Sequence, residues 1–177
     1  MIAEANKLKI EGMRKRLLAS RSRKPQIDFS LKDLSGNSVK LSALKGKVIV
    51  LDFWATWCGP CKQSFPYLQK VYEKYRDNDR VLLYAIDSWE REKDYAATLT
   101  NARKFMESNK YTFPVLIDLL DDPSTGSRYG VEGIPTKFIL DKDGYVAFEA
   151  VGFDGPGMED ELNLQIEILL NSPTSPD

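Results

Sequence analysis

No histidine occurs among the 177 residues of this chain. That excludes Ser–His–Asp and Cys–His hydrolases, whose general base is an imidazole. It also excludes histidine-ligated zinc or iron. Cysteine is nearly as scarce: the chain has 2, Cys58 and Cys61. Two thiols supply half of a structural zinc site. A bridge between them closes too short a loop to remove much unfolded-chain entropy, which argues against a structural staple. No apolar run reaches the ~18 residues of a membrane-spanning helix. No signal-peptide hydrophobic region follows Met1, so the chain reads as cytosolic or as a mature or excised form. Charge of either sign is not in excess: 25 Lys and Arg face 26 Asp and Glu, for a net −1. That leaves no bulk electrostatic case for nucleic acid. What remains is ordinary globular composition, 42% hydrophobic and 29% charged, at a length that suits one domain with a real core.

The two cysteines sit in Trp57-Cys58-Gly59-Pro60-Cys61, shortly after the segment 48–54, which is apolar except for one carboxylate. A buried strand there hands over to a helix. A helix N-terminus carries partial positive charge and unpaired N–H groups, which stabilise a thiolate at Cys58. Cys61, one turn on, faces the same side and is close enough to close a disulfide. Gly59 permits a tight turn, and Pro60 costs little in a first helical turn. This is the arrangement that reversible dithiol–disulfide chemistry needs.

Asp52-Phe-Trp-Ala-Thr-Trp-Cys-Gly-Pro-Cys61 resembles the active-site segment of thioredoxin-like thiol–disulfide oxidoreductases. Pro66 lies where thioredoxins carry a kinking proline. Tyr129-Gly-Val-Glu-Gly-Ile-Pro-Thr136 resembles the family segment that ends in a cis-proline. The insert from Asp87 to Lys110, followed by Tyr111-Thr-Phe-Pro-Val-Leu-Ile-Asp118, is similar to the extracytoplasmic TlpA/ResA branch. The resemblance covers roughly residues 25–171. It implies a thioredoxin-like three-layer α/β/α sandwich with an N-terminal β-hairpin extension and a central αβ insert.

The pattern of elements agrees. Residues 1–24 read as a basic amphipathic helix and linker, with Ile10, Met13, Leu17 and Leu18 at helical spacing. This helix is expected to dock on its own domain or on a removed upstream one. A hairpin is expected over Ile27–Leu41, and buried strands over Val48–Trp54 and Val81–Ile86. Helices are expected over Pro60–Arg76 and Lys93–Asn109. A short strand follows at Pro114–Ile117, and a helical turn opens at Asp122. A second hairpin spans Thr136–Ala150, turning at Asp141-Lys-Asp-Gly144. A last helix over Glu159–Leu170 precedes a disordered tail, residues 172–177.

The resemblance and the residues together assign roles. Cys58 is the nucleophile, and Cys61 resolves the mixed disulfide. Asp52 interrupts a stretch that is otherwise dry, so burial should raise its pKa and let it accept the proton of Cys61. On that reading an isosteric amide at position 52 should stabilise the fold. Trp57, Gly59 and Pro60 shape the docking surface. Pro135 is expected to be cis, placing the Ile134 backbone for a substrate strand. Phe53, Trp54 and Phe138 read as core. No helical loop residue between the cysteines is a histidine, so the pair should reduce substrates rather than oxidise them. The chemistry needs no cofactor beyond the Cys58–Cys61 disulfide and no metal. The implied partners are protein disulfides and an upstream thiol reductant, with no nucleic acid and no membrane span. A monomer is expected, in an extracytoplasmic compartment, with the cytoplasm as alternative. Two rival functions are weaker. A thiol peroxidase requires a Pro-x-x-x-Thr/Ser-x-x-Cys loop, which the Phe-Trp-Ala-Thr-Trp before Cys58 does not supply. A non-catalytic binding module has no use for both cysteines.

Overall fold

A strand can be apolar at nearly every position only if both of its faces are covered. In the computed structural model, which describes residues 1–119 and 123–174, segment 48–54 meets that condition. It forms β4 (Val48–Trp54), buried throughout. β4 runs parallel to β5 (Val81–Ser88) and antiparallel to β7 (Thr136–Leu140). Beyond β5 lies β6 (Val115–Asp118), again parallel, and then the hairpin of β2 (Ser30–Asp33) and β3 (Ser38–Lys40). On the other side β8 (Tyr145–Val151) pairs with β7, and β1 (Lys24–Pro25) closes the edge. The order is β1-β8-β7-β4-β5-β6-β2-β3.

Alternation along the strands sorts the core into two faces. Val50, Trp54, Leu83, Ala85 and Ile139 pack with the cysteines under the long helices. Those helices are α2 (Gly59–Tyr75), α3 (Tyr95–Asn109) and α5 (Gly157–Asn171). Ile49, Leu51, Phe53, Ile86, Phe138 and Leu140 point the opposite way, onto Phe29, Leu31, Leu41 and Val131. Among the described residues that second face carries α4 (Thr125–Arg128) and a 3-10 turn at Leu41–Leu44 but none of the long helices. The expected three layers are present, one of them thin.

Local chemistry sets the helix limits. Cys58 is the N-cap of α2, and its Sγ accepts a hydrogen bond from Cys61 N at 3.2 Å. The helix runs on through Pro66, which is exposed and lacks the N–H that would reach Lys62. Asp94 caps α3 by accepting from Ala97 N at 2.8 Å, so that helix begins at Tyr95 rather than Lys93.

The N-terminal region differs from expectation in two ways. Helix α1 (Ile2–Ser20) buries Met13 and Leu17 in the core that α5 also lines, but Ile10 and Leu18 stay 48% and 53% exposed. Half of the expected stripe docks. The segment taken as linker is also fastened to the sheet. Ser22 N donates to Ala147 O at 2.8 Å, and Lys24 and Pro25 lie opposite Val146 and Tyr145. Two residues are too few to show strand periodicity in sequence. Ser172 Oγ donates to Ile168 O, which ties down the start of the expected tail. Residues 175–177 of that tail, and Asp122 of the expected turn, lie outside the described residues.

Candidate active site

Every site residue expected from sequence lies at the C-terminal end of β4 or on elements that meet it. Cys58 and Cys61 form a disulfide with Cα atoms 5.3 Å apart. Cys61 is fully buried and Cys58 is 4% exposed. The small flanks Gly59 and Pro60 are exposed, so the cover over Cys58 comes from elsewhere. Part of it is the segment before β7: Cys58 Sγ lies 3.7 Å from Ile134 O. The Ile134–Pro135 peptide is cis, as expected, and Pro135 is buried. Trp57 stands 43% exposed beside the pair.

Asp52 occupies the face of β4 that carries Val50 and Trp54, the face covered by α2 and Cys61. It is fully buried. Burial pushes its carboxyl above the usual range, and the charge of Lys137 partly offsets that. Lys137 was not anticipated. It lies directly opposite Asp52 in the β4–β7 ladder. Its Nζ is 3.2 Å from Asp52 Oδ1, and both side chains are almost wholly out of water. The contact is an ion pair with imperfect hydrogen-bond alignment, since neither group has a well-oriented hydrogen-bond partner among the described residues. The pairing changes one expectation. An amide at position 52 would leave a buried ammonium without its counter-charge, so a simple gain in stability no longer follows. One signal for Lys137 was present: a lone lysine in the apolar run Thr136-Lys-Phe-Ile-Leu140. Its significance depends on register, which sequence does not supply.

A second acidic group lies one row along the sheet. Asp87 is opposite Trp54 in the β4–β5 ladder and is 1% exposed. Burial, then the neighbouring carboxyl of Glu90, then the charge of Asp118, push its carboxyl up to about 10. It is therefore a neutral acid at physiological pH. Glu90 itself is buried and anchors the segment before the cysteines. Its carboxylate accepts from Thr56 N and, at 3.0 Å, from Thr56 Oγ1. Asp118 accepts from Ser88 Oγ, Thr125 N and Gly126 N, and so fixes the start of α4. Glu90 and Asp87 carry no distinctive sequence spacing, and only the folded loop brings them to the site.

Among the described residues no cluster of three His, Cys, Asp or Glu is placed to hold a metal ion. No helix there is long and apolar enough to cross a membrane. The arrangement can pass two electrons between its own sulfurs and an incoming disulfide or dithiol. The buried Asp52 carboxyl lies on the same side of the sheet.

Known proteins share this architecture. The family described as Redoxin matches residues 21–166. The thioredoxin-like protein YneN of Bacillus subtilis is 37% identical over 77% of this chain and 76% of its own. The thiol-disulfide oxidoreductase ResA of Bacillus thuringiensis is 37% identical over 71% of this chain. That match spans 66% of ResA, just under two thirds of its length. The crystal structure of a protein assigned as thiol:disulfide interchange protein DsbE from Chlorobium tepidum superposes with a TM-score of 0.70 at 35% identity. It covers 84% of this chain and 97% of that one.

Proposed function

The chain belongs to the Redoxin family, and from that premise we propose that it is a thiol–disulfide oxidoreductase that reduces protein disulfides through Cys58 and Cys61. The observation that carries this reading is the cysteine pair at the start of α2, with Cys58 Sγ against the carbonyl that precedes cis-Pro135. In the reduced protein the Cys58 thiolate attacks one sulfur of a substrate disulfide. That S–S bond breaks, a mixed disulfide forms, and the departing substrate sulfur takes a proton. Cys61 gives its proton to Asp52 and attacks Cys58 Sγ. The second substrate thiol leaves, and the Cys58–Cys61 disulfide holds the oxidising equivalents. Two electrons have then passed to the substrate; of the two protons its thiols carry, one is that of Cys61, released again by Asp52, and the other comes from solvent, which took the Cys58 proton when the thiolate formed. An upstream thiol reductant restores the dithiol, and no other cofactor enters.

The α2 N-terminus supports Cys58 as the attacking sulfur, because its amides and dipole favour the thiolate there. Full burial supports Cys61 as the resolving one. Trp57, Gly59 and Pro60 form the rim, and Ile134 offers its backbone to an extended substrate segment beside Pro135. Helix α1 is accessory to this chemistry on this reading, since the element it packs against is α5. The likeness to ResA and DsbE supports an extracytoplasmic site of action. We take the working unit to be the monomer, as one chain supplies every group named.

Insulin reduction in the presence of a small dithiol tests the proposal. Catalysed precipitation that Cys58→Ser abolishes is the expected result. Equilibration against glutathione tests direction: a potential below that of the glutathione couple supports a reductant, and one above it an oxidase or isomerase.

A further inference from the structure

The loop that leaves β5 folds back over the cysteine segment and is held there by its own bonds. Trp89 takes a left-handed backbone conformation, φ 64°, which is uncommon for a residue other than glycine. That turn lets Trp89 O accept from Trp57 Nε1 at 2.9 Å. The next residue, Glu90, grips Thr56 through two bonds. Lys93 Nζ donates to Glu90 O at 3.1 Å, and Glu92 Oε1 accepts from Lys93 N and Asp94 N. The indole of Trp57 is thus fixed in place while much of its face stays in solvent.

Arg91 lies on that face, its guanidinium carbon 5.0 Å from the Trp57 ring centroid. The guanidinium is exposed, and it makes no ion pair among the described residues. The neighbouring acids are occupied: Glu90 by Thr56, Glu92 by two backbone amides. Stacking uses the face of a guanidinium and leaves its edge of N–H donors free. Such an edge matches a carboxylate in a bidentate pair. The residue after Trp57 is Cys58, so this edge borders the place where a substrate disulfide must arrive.

We propose that Arg91, held on Trp57, is a specificity-determining residue that selects protein disulfides flanked by an aspartate or glutamate. The inference rests on the oxidoreductase reading above. Arg91 reads the carboxylate beside the scissile disulfide and takes no part in the exchange itself. An effect of its charge on the Cys58 thiolate would act on all substrates alike, so the quantity that isolates recognition is a ratio between substrates.

The test uses the full chain, reduced and freed of reductant, in single-turnover reactions with two disulfide-bridged peptides. The peptides differ only in Asp against Asn next to one cysteine, and tryptophan fluorescence follows the exchange. An exposed ion pair of this kind gives a preference of about 3–5-fold for the Asp peptide. Arg91→Gln should bring the ratio close to unity, Arg91→Glu should invert it, and high salt should compress it in the unmodified protein. A ratio near unity in the unmodified protein, or one that survives Arg91→Gln, overturns the inference. Failure to reduce either peptide would overturn the oxidoreductase reading itself, and this inference with it.

Discussion

Removing the Lys137 charge is the sharpest perturbation of the site that does not touch a cysteine. Lys137→Met keeps most of the side chain's stem and deletes its ammonium. At the observed 3.2 Å, and with an effective dielectric of about 20, the pair attracts by about 5 kcal/mol before desolvation is counted. Taking two ions out of water offsets much of that. Deleting one partner leaves the other buried and uncompensated, a loss of about 3–5 kcal/mol. Asp52 can escape part of the loss by staying protonated. Its folded-state pKa is already raised by burial, and the variant raises it further. A carboxyl with a raised folded pKa contributes its stability in full below the unfolded value and loses it as pH rises through the folded value. The defect of Lys137→Met should therefore be small in acid and grow toward neutral pH. Asp52→Asn strands the ammonium instead, and Asp52→Asn with Lys137→Met removes both charges. Urea unfolding of the oxidised protein and these three variants near neutral pH gives a double-mutant cycle. The expected coupling is about 2–3 kcal/mol, with the double variant more stable than the sum of the single losses allows. Additive losses would refute the reasoning, because they would mean that water or another group already screens the two charges.

Two further outcomes follow from the same structure. Asp87→Asn should stabilise the fold by about 1–3 kcal/mol near neutral pH. The wild-type acid stays neutral until about pH 10 in the folded state, whereas it ionises above about pH 4 when unfolded. The gain should vanish below that lower pH, and a gain independent of pH in urea titrations would contradict the burial of a neutral acid. Deleting residues 1–23 should leave insulin reduction intact, because α1 packs against α5. The stability loss should be about 2–4 kcal/mol, set by two buried side chains less the entropy of ordering the helix. Loss of catalysis in a folded truncation would make α1 part of the site.

The cysteine segment was legible because several weak signals coincide there. An apolar run interrupted only by Asp52, a Gly-Pro turn and a following helical periodicity each demand the same strand–helix junction, and the junction formed as read. The position of Asp52 was legible for a related reason: one acid in a dry strand has no solvent to face. Its partner was not. Lys137 lies 85 positions later (137 − 52), and only the antiparallel register of β4 on β7 brings them together. Glu90 and Arg91 depend on a loop whose path turns on one left-handed residue, Trp89, and no pattern in the sequence marks it. The N-terminal stripe was read too broadly, since periodicity shows which residues share a face but not how wide a surface awaits them. Met13 and Leu17 dock, while Ile10 and Leu18 remain in solvent.

The central claim is that Cys58 attacks and Cys61 resolves. Trapping tests it most directly. Reduced Cys61→Ser and Cys58→Ser proteins are each mixed with an oxidised protein substrate, and the adducts are mapped by mass spectrometry. The account predicts a stable mixed disulfide through Cys58 in Cys61→Ser, because no second thiol is left to release it. It predicts little adduct in Cys58→Ser, where the remaining sulfur is fully buried. Adducts on Cys61 forming as fast as those on Cys58 would contradict it.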